Sequence, residues 1–125
     1  MASRTFSRLQ ALQKEVKHVH AKVAIGGTGA PTLVTANGSS LGVASVVRDG
    51  AGTYTVTLED KYPEILFFDG QQVLGAAQDV VFHVSGSDPL AKTLTFYTLT
   101  AATPTDPTNG SELWLRFELK NTTVK

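Results

Sequence analysis

Apolar and polar residues alternate one by one through much of this chain. In residues 112–120, Leu113, Leu115, Phe117 and Leu119 take one side, while Trp114, Arg116, Glu118 and Lys120 take the other. A period of two is that of a β-strand with one buried face. Residues 53–58 repeat it, with Tyr54, Val56 and Leu58 set against Thr53, Thr55 and Thr57. Residues 93–100 are rich in β-branched and aromatic side chains, with Leu94, Phe96 and Thr98 sharing a face. Val19, Ala21, Val23 and Ile25 alternate with His20, Lys22 and Ala24.

Turn residues divide these runs. Residues 41–58 read as a hairpin around Asp49-Gly50-Ala51-Gly52, whose glycines supply the positive φ a tight turn needs. Gly26-Gly27-Thr28-Gly29 ends the first strand, and Asn37-Gly38 and Asp69-Gly70 mark turns. Residues 32–35, 73–74 and 79–84 predict shorter strands, and residues 86–89 another turn. Residues 65–68 are apolar throughout, which predicts a strand buried on both faces or set at an interface. Residues 101–111, with Pro104, Pro107 and Gly110, predict a loop. Such spacing gives about seven or eight short strands and no alternation with helices. The expected fold is all-β, an antiparallel sandwich or barrel.

The leading residues break the pattern. Phe6, Leu9, Leu12 and Val16 fall at helical steps, and Ser3 or Thr5 offers an oxygen to cap the start. So short a helix is marginal alone in water. Its stripe must pack on its own sheet, on a neighbouring subunit or on another protein. The division expected is a helical, basic arm over residues 1–17 and a β domain over residues 18–125.

Composition narrows the function. The 125 residues carry no cysteine and no net charge. Disulfides and thiolate chemistry are excluded, and phosphate-driven nucleic-acid binding is not expected. No apolar run reaches the ~18 residues of a membrane span, and the polar start lacks a signal-peptide core. Charge is uneven, however. Arg4, Arg8, Lys14, Lys17 and Lys22 face Glu15 alone in residues 1–22, so the remainder is acidic by the same margin. A basic arm suits either solvent or an acidic partner surface.

No motif frames a catalytic group. His18 and His20 share a strand face, but a zinc site would need His83 and a carboxylate to join them. Asp49 suits capping of turn amides, and Glu59, Asp60, Glu64 and Asp69 suit a solvated loop. Gly26-Gly27-Thr28-Gly29 has neither the lysine nor the following helix of a phosphate loop. No enzyme, metal or cofactor is expected. Trp114 and Tyr97 point outward from long strands, covered by a second layer or marking an interface.

Residues 41–62, LGVASVVRDGAGTYTVTLEDKY, resemble a hairpin of small virion structural proteins of tailed bacteriophages. The stretch from Asp106-Pro107 through Gly110, then Leu113 to Lys120, Asn121 and Val124, is similar to their closing loop and strand. The resemblance implies a repeated virion component with a β-sandwich core, made in the host cytoplasm. Its simplest form is a capsid decoration, or cement, protein bound to the major capsid protein or another virion protein, as a homo-oligomer and most simply a trimer. Arg4, Arg8, Phe6, Leu9 and Leu12 are the expected anchor, and Phe67, Phe68 and Trp114 the expected subunit contacts. The alternatives are a tail or baseplate module, or a glycan-binding sandwich using Trp114 and Tyr97.

Overall fold

The two most regular alternations become the inner strands of two sheets. The computed structural model describes residues 16–26 and 28–120. Its strands are β1 (Val16–Ala24), β2 (Thr32–Val34), β3 (Val43–Gly50), β4 (Thr53–Leu58), β5 (Glu64–Val73), β6 (Val81–Asp88), β7 (Thr93–Thr100), β8 (Thr103–Pro104) and β9 (Glu112–Lys120). The first sheet has the order β2-β1-β9-β5 and the second β3-β4-β7-β6, with β8 pairing β7. Every pairing is antiparallel, and neither sheet closes into a barrel. The fold is an all-β sandwich.

Burial follows the alternation. Leu113, Leu115, Phe117 and Leu119 of β9 face Tyr54, Val56 and Leu58 of β4 and Leu94 and Phe96 of β7 across one core. Aromatic rings fill its middle. Phe68 lies 5.0 Å from both Phe96 and Phe117, so one side chain of β5 ties the two layers together. Tyr54 stacks on Phe96 at 5.6 Å. Ring pairs of this kind add attraction beyond the area they bury.

The 41–58 hairpin is present as β3 and β4, but its turn is shorter than four residues. Gly50 already pairs with Thr53, leaving Ala51 and Gly52 to turn. Gly52 has φ +61, and a Cβ there would meet the Thr105 amide at 2.3 Å. Glycine is needed for both conformation and space.

Several expectations are corrected. Asp69-Gly70 is no turn: β5 runs through it to Val73, so no separate strand exists at residues 73–74. Gly70 serves another purpose, because a Cβ there would lie 2.7 Å from the Phe82 ring of the opposite sheet. The glycine lets two layers approach. Gly86 likewise lies within β6 beside a register shift, and the turn falls after Asp88. Asn37-Gly38 does mark a turn, a short 3-10 element over Ala36–Gly38. Residues 65–68 are not buried on both faces. A bulge between Ile65 and Phe67 leaves Ile65 and Phe68 facing in and Leu66 and Phe67 facing out. Phe68 is therefore partly buried and packs against the core. Val16 and Lys17, placed in the arm by the sequence, pair with Lys120 and Leu119 as the start of β1. The rest of the expected helix, with Arg4, Phe6, Arg8, Leu9 and Leu12, lies outside the described residues.

Candidate functional site: the outer face of the first sheet

Strand register decides which polar side chains meet. Across β1, β9 and β5, Lys22 is level with Trp114 and Gln71, and the next outward row is His20, Arg116 and Asp69. A third row holds His18, Glu118 and Phe67. These are the outward members of the same alternation that builds the core. Trp114 and Phe67 thus share one face, on strands β9 and β5, and they are 41% and 46% exposed.

The indole is held in place. Lys22 Nζ sits 4.5 Å from the Trp114 ring centroid, and Trp114 Nε1 donates to Glu112 Oε1 at 3.0 Å. The Arg116 guanidinium lies 5.7 Å from the Phe67 ring. Cation–ring contacts at exposed sites contribute about 0.5–1 kcal/mol, enough to bias a rotamer. Arg116 also approaches Asp69 at 4.0 Å, and His18 approaches Glu118 at 3.9 Å. Both pairs are exposed, and exposed ion pairs contribute little to stability. Between the strands lies a shallow groove of about 380 Å³, lined by His20, Lys22, Asp69, Gln71, Trp114 and Arg116 among others. Its chemistry is an apolar plate ringed by charged side chains, which suits recognition of a surface or a polar ligand.

The other expected groups are scattered. Tyr97 stacks on His83 at 5.8 Å on the outer face of the second sheet, remote from Trp114. Trp114 and Tyr97 therefore form no common platform. His83 is likewise separated from His18 and His20. Among the described residues no group of three or more His, Asp or Glu side chains gathers at metal-binding spacing.

A second apolar surface escaped the sequence. The bulge in β5 leaves the seam between the edge strands β5 and β6 open. A groove of about 280 Å³ runs along it, lined by Leu66, Phe67, Phe68, Val84 and Leu94 among others, so Phe67 borders both surfaces. Leu66 is 47% exposed and Val84 41%. The four-residue apolar run signalled a strand buried on both faces or set at an interface, not an open seam. The partner residues on β6 carried no signal.

The most perturbed acid is Asp106, and its environment is structural. Its Oδ1 accepts from Arg48 Nε at 3.0 Å, Gly52 N–H at 2.9 Å and the Tyr54 hydroxyl at 3.0 Å. Its Oδ2 accepts from Arg48 Nη2 at 2.7 Å. The Arg48 guanidinium is the main reason its carboxyl is held below the ordinary carboxylate range, with the Gly52 amide and Tyr54 hydroxyl adding to it. Burial, then the nearby Asp106 charge, pushes the Tyr54 hydroxyl well above its usual range. With its donors all supplied from the protein, Asp106 is a latch between the long loop and the β3–β4 hairpin. Asp49, expected to cap the turn, instead accepts from the Thr55 hydroxyl.

No family model, no curated protein and no solved structure matches this chain. Function must be argued from these surfaces.

Proposed function

We propose that this chain is a structural protein of a tailed-phage virion, a capsid decoration protein that binds the assembled shell and holds it together. The observation that carries this is the pairing of half-exposed Trp114 and Phe67 on one outer sheet face, ringed by Lys22, Arg116 and Asp69. Large aromatics and arginine surrounded by polar residues are the composition of a protein-binding surface. The hairpin resemblance points to virion proteins as the class.

In this reading the sandwich lies over junctions between coat subunits, as trimers, with the outer face of the first sheet against the shell. The leading residues, with Phe6, Leu9, Leu12, Arg4 and Arg8, add an anchor. Binding only the assembled state shifts the equilibrium against rupture in proportion to occupancy. The partner is the major capsid protein, or another virion structural protein if the chain belongs to the tail or baseplate.

The test is rebinding of purified protein to capsids stripped of it. Saturable attachment at a fixed ratio to coat subunits, reduced at least roughly tenfold by Trp114→Ala with Phe67→Ser, supports the reading. Attachment that ignores both substitutions removes it.

The groove beside Trp114 favours one competing reading, a glycan site. A sugar would stack on the indole and bond to Gln71 and Asp69. Trp114→Ala would then abolish binding to host envelope while leaving virion copy number unchanged. Tyr97, on the other sheet, takes no part.

A further inference from the structure

The edges of the two sheets are guarded unequally. An unpaired edge presents a row of open backbone N–H and C=O groups, and proteins blunt it with short strands, charge, proline or bulges. In the first sheet β2 is three residues long, and β5 carries Glu64 and Asp69. In the second, β3 has register shifts near both ends and carries Arg48 and Asp49. β6 lacks such guards through Ser85. Among the described residues no strand pairs with its outer side, and residues 81–87 hold no lysine, arginine, carboxylate or proline. Val81 and Val84 are exposed on it, and Leu66 of β5 is exposed beside it along the seam. Its register shift, between Val84 and Gly86, comes only after these valines.

Up to that shift β6 is complementary to itself. Phe82 and Val84 point inward, opposite Thr98 and Phe96 of β7, while Val81 and His83 point outward, opposite Leu99 and Tyr97. A second β6 laid antiparallel and centred on His83 sets Val81 against Ser85 and Phe82 against Val84. Inward residues then meet inward ones and outward meet outward. A slip of one residue would set His83 against Val84 and mix the faces. No lysine, arginine or carboxylate meets its own copy in this register. The side of the sandwich along β6 is roughly 27 Å long, and two sheets about 10 Å apart with a side chain beyond each make it about 20 Å across. Two such sides bury about 1,100 Å², just above the roughly 1,000 Å² a specific interface needs, which suits a concentration-dependent dimer.

We propose that β6 pairs with β6 of a second copy across a two-fold axis at His83, joining the second sheets of two molecules into one. The pairing satisfies the open backbone edge, sets Val84 of each copy against Phe82 of the other, and brings the two β5–β6 seams together. An antiparallel pair of this kind has its axis normal to the sheets, so both first-sheet faces, with Trp114 and Phe67, point the same way. The pairing does not depend on what the protein binds. Its consequence for the shell rests on the decoration reading: two docking faces held side by side would bind with greater avidity and tie neighbouring trimers together.

The chain contains no cysteine, so disulfide trapping in the full-length protein is clean. Residues directly opposite in an antiparallel pair have Cβ atoms about 4.5–5.5 Å apart, close to the span of a disulfide. Under mild oxidation His83→Cys should therefore link to its own copy at least roughly tenfold faster than Val47→Cys, an exposed control on the opposite edge. Circular dichroism checks that both variants are folded. Equal rates overturn the proposal. So does a mixture of the two variants that links faster than His83→Cys alone, because that is head-to-tail pairing of β6 with β3. A second measurement needs no cysteine. By sedimentation equilibrium across micromolar concentrations, Val81→Lys with Val84→Lys should lower the average mass, and Trp114→Ala should leave it unchanged. A mass indifferent to the lysines overturns the pairing. Neither measurement involves capsids, so failure here is distinct from failure to rebind stripped shells.

Discussion

Asp106→Ala removes a carboxylate whose two oxygens accept four hydrogen bonds from Arg48, Gly52 and Tyr54. The Arg48 and Asp106 side chains are only 22% and 14% exposed, and Tyr54 is fully buried. Water therefore reaches the abandoned donors poorly. Deleting one partner of a fully buried pair costs about 3–5 kcal/mol. This pair is only partly buried and Arg48 can regain water, so a smaller loss, about 2 kcal/mol, is expected from the hydrogen bonds left unmade. For a domain of this size each kcal/mol moves the melting temperature by about 4 °C, giving a fall of roughly 8 °C at pH 7. Asp106→Asn keeps an oxygen for Gly52 and Tyr54 but turns an amide toward Arg48, so it should fall between. The sign with pH follows from the lowered pKa. Asp106 contributes stability that is full above its unfolded value near 3.8 and is lost as pH drops through the still lower folded value. The gap between native protein and Asp106→Ala should thus narrow below about pH 4. Thermal unfolding followed by circular dichroism at pH 7 and pH 3 reads both effects. A loss under about 0.5 kcal/mol at pH 7, or a gap indifferent to pH, refutes the latch.

Other substitutions probe separate parts of the sandwich. Phe117→Ala empties the centre of the core and should cost about 3–5 kcal/mol, seen as a lower denaturant midpoint. Gly70→Ala places a methyl 2.7 Å from the Phe82 ring and should cost about 1–3 kcal/mol by the same assay, although alanine favours strands more than glycine does. Trp114→Ala on the outer face should change stability by no more than about 1 kcal/mol, which keeps it usable as a binding probe.

The strands that the sequence made plainest are those with one wet face. In β9 and β7 each buried residue is followed by an exposed or half-exposed one, and their ends agree with the expectation to the residue. Glycine misled where its role was spatial. Asp69-Gly70 has the composition of a turn, but Gly70 is there to admit the Phe82 ring from the other sheet, a contact no local window contains. The apolar run at residues 65–68 marked a strand, but not its geometry. The bulge sends Phe68 inward and Phe67 outward, where simple alternation offers only opposite faces and no extra residue. Of the expected contacts, Trp114 and Phe67 fall on one face because β1, β9 and β5 are neighbours, an order the chain does not announce. Asp106 was readable only as part of a loop, since its partners lie 52–58 residues away in sequence.

The proposed docking face is tested most directly by counting bound copies on stripped capsids, by sedimentation and quantitative gel, for native protein and for Trp114→Ala with Phe67→Ser. Saturation at a fixed copy number per coat subunit, lost in the folded double variant, is the predicted result. A native protein that leaves the capsids bare, or a double variant that decorates them equally well, contradicts the account.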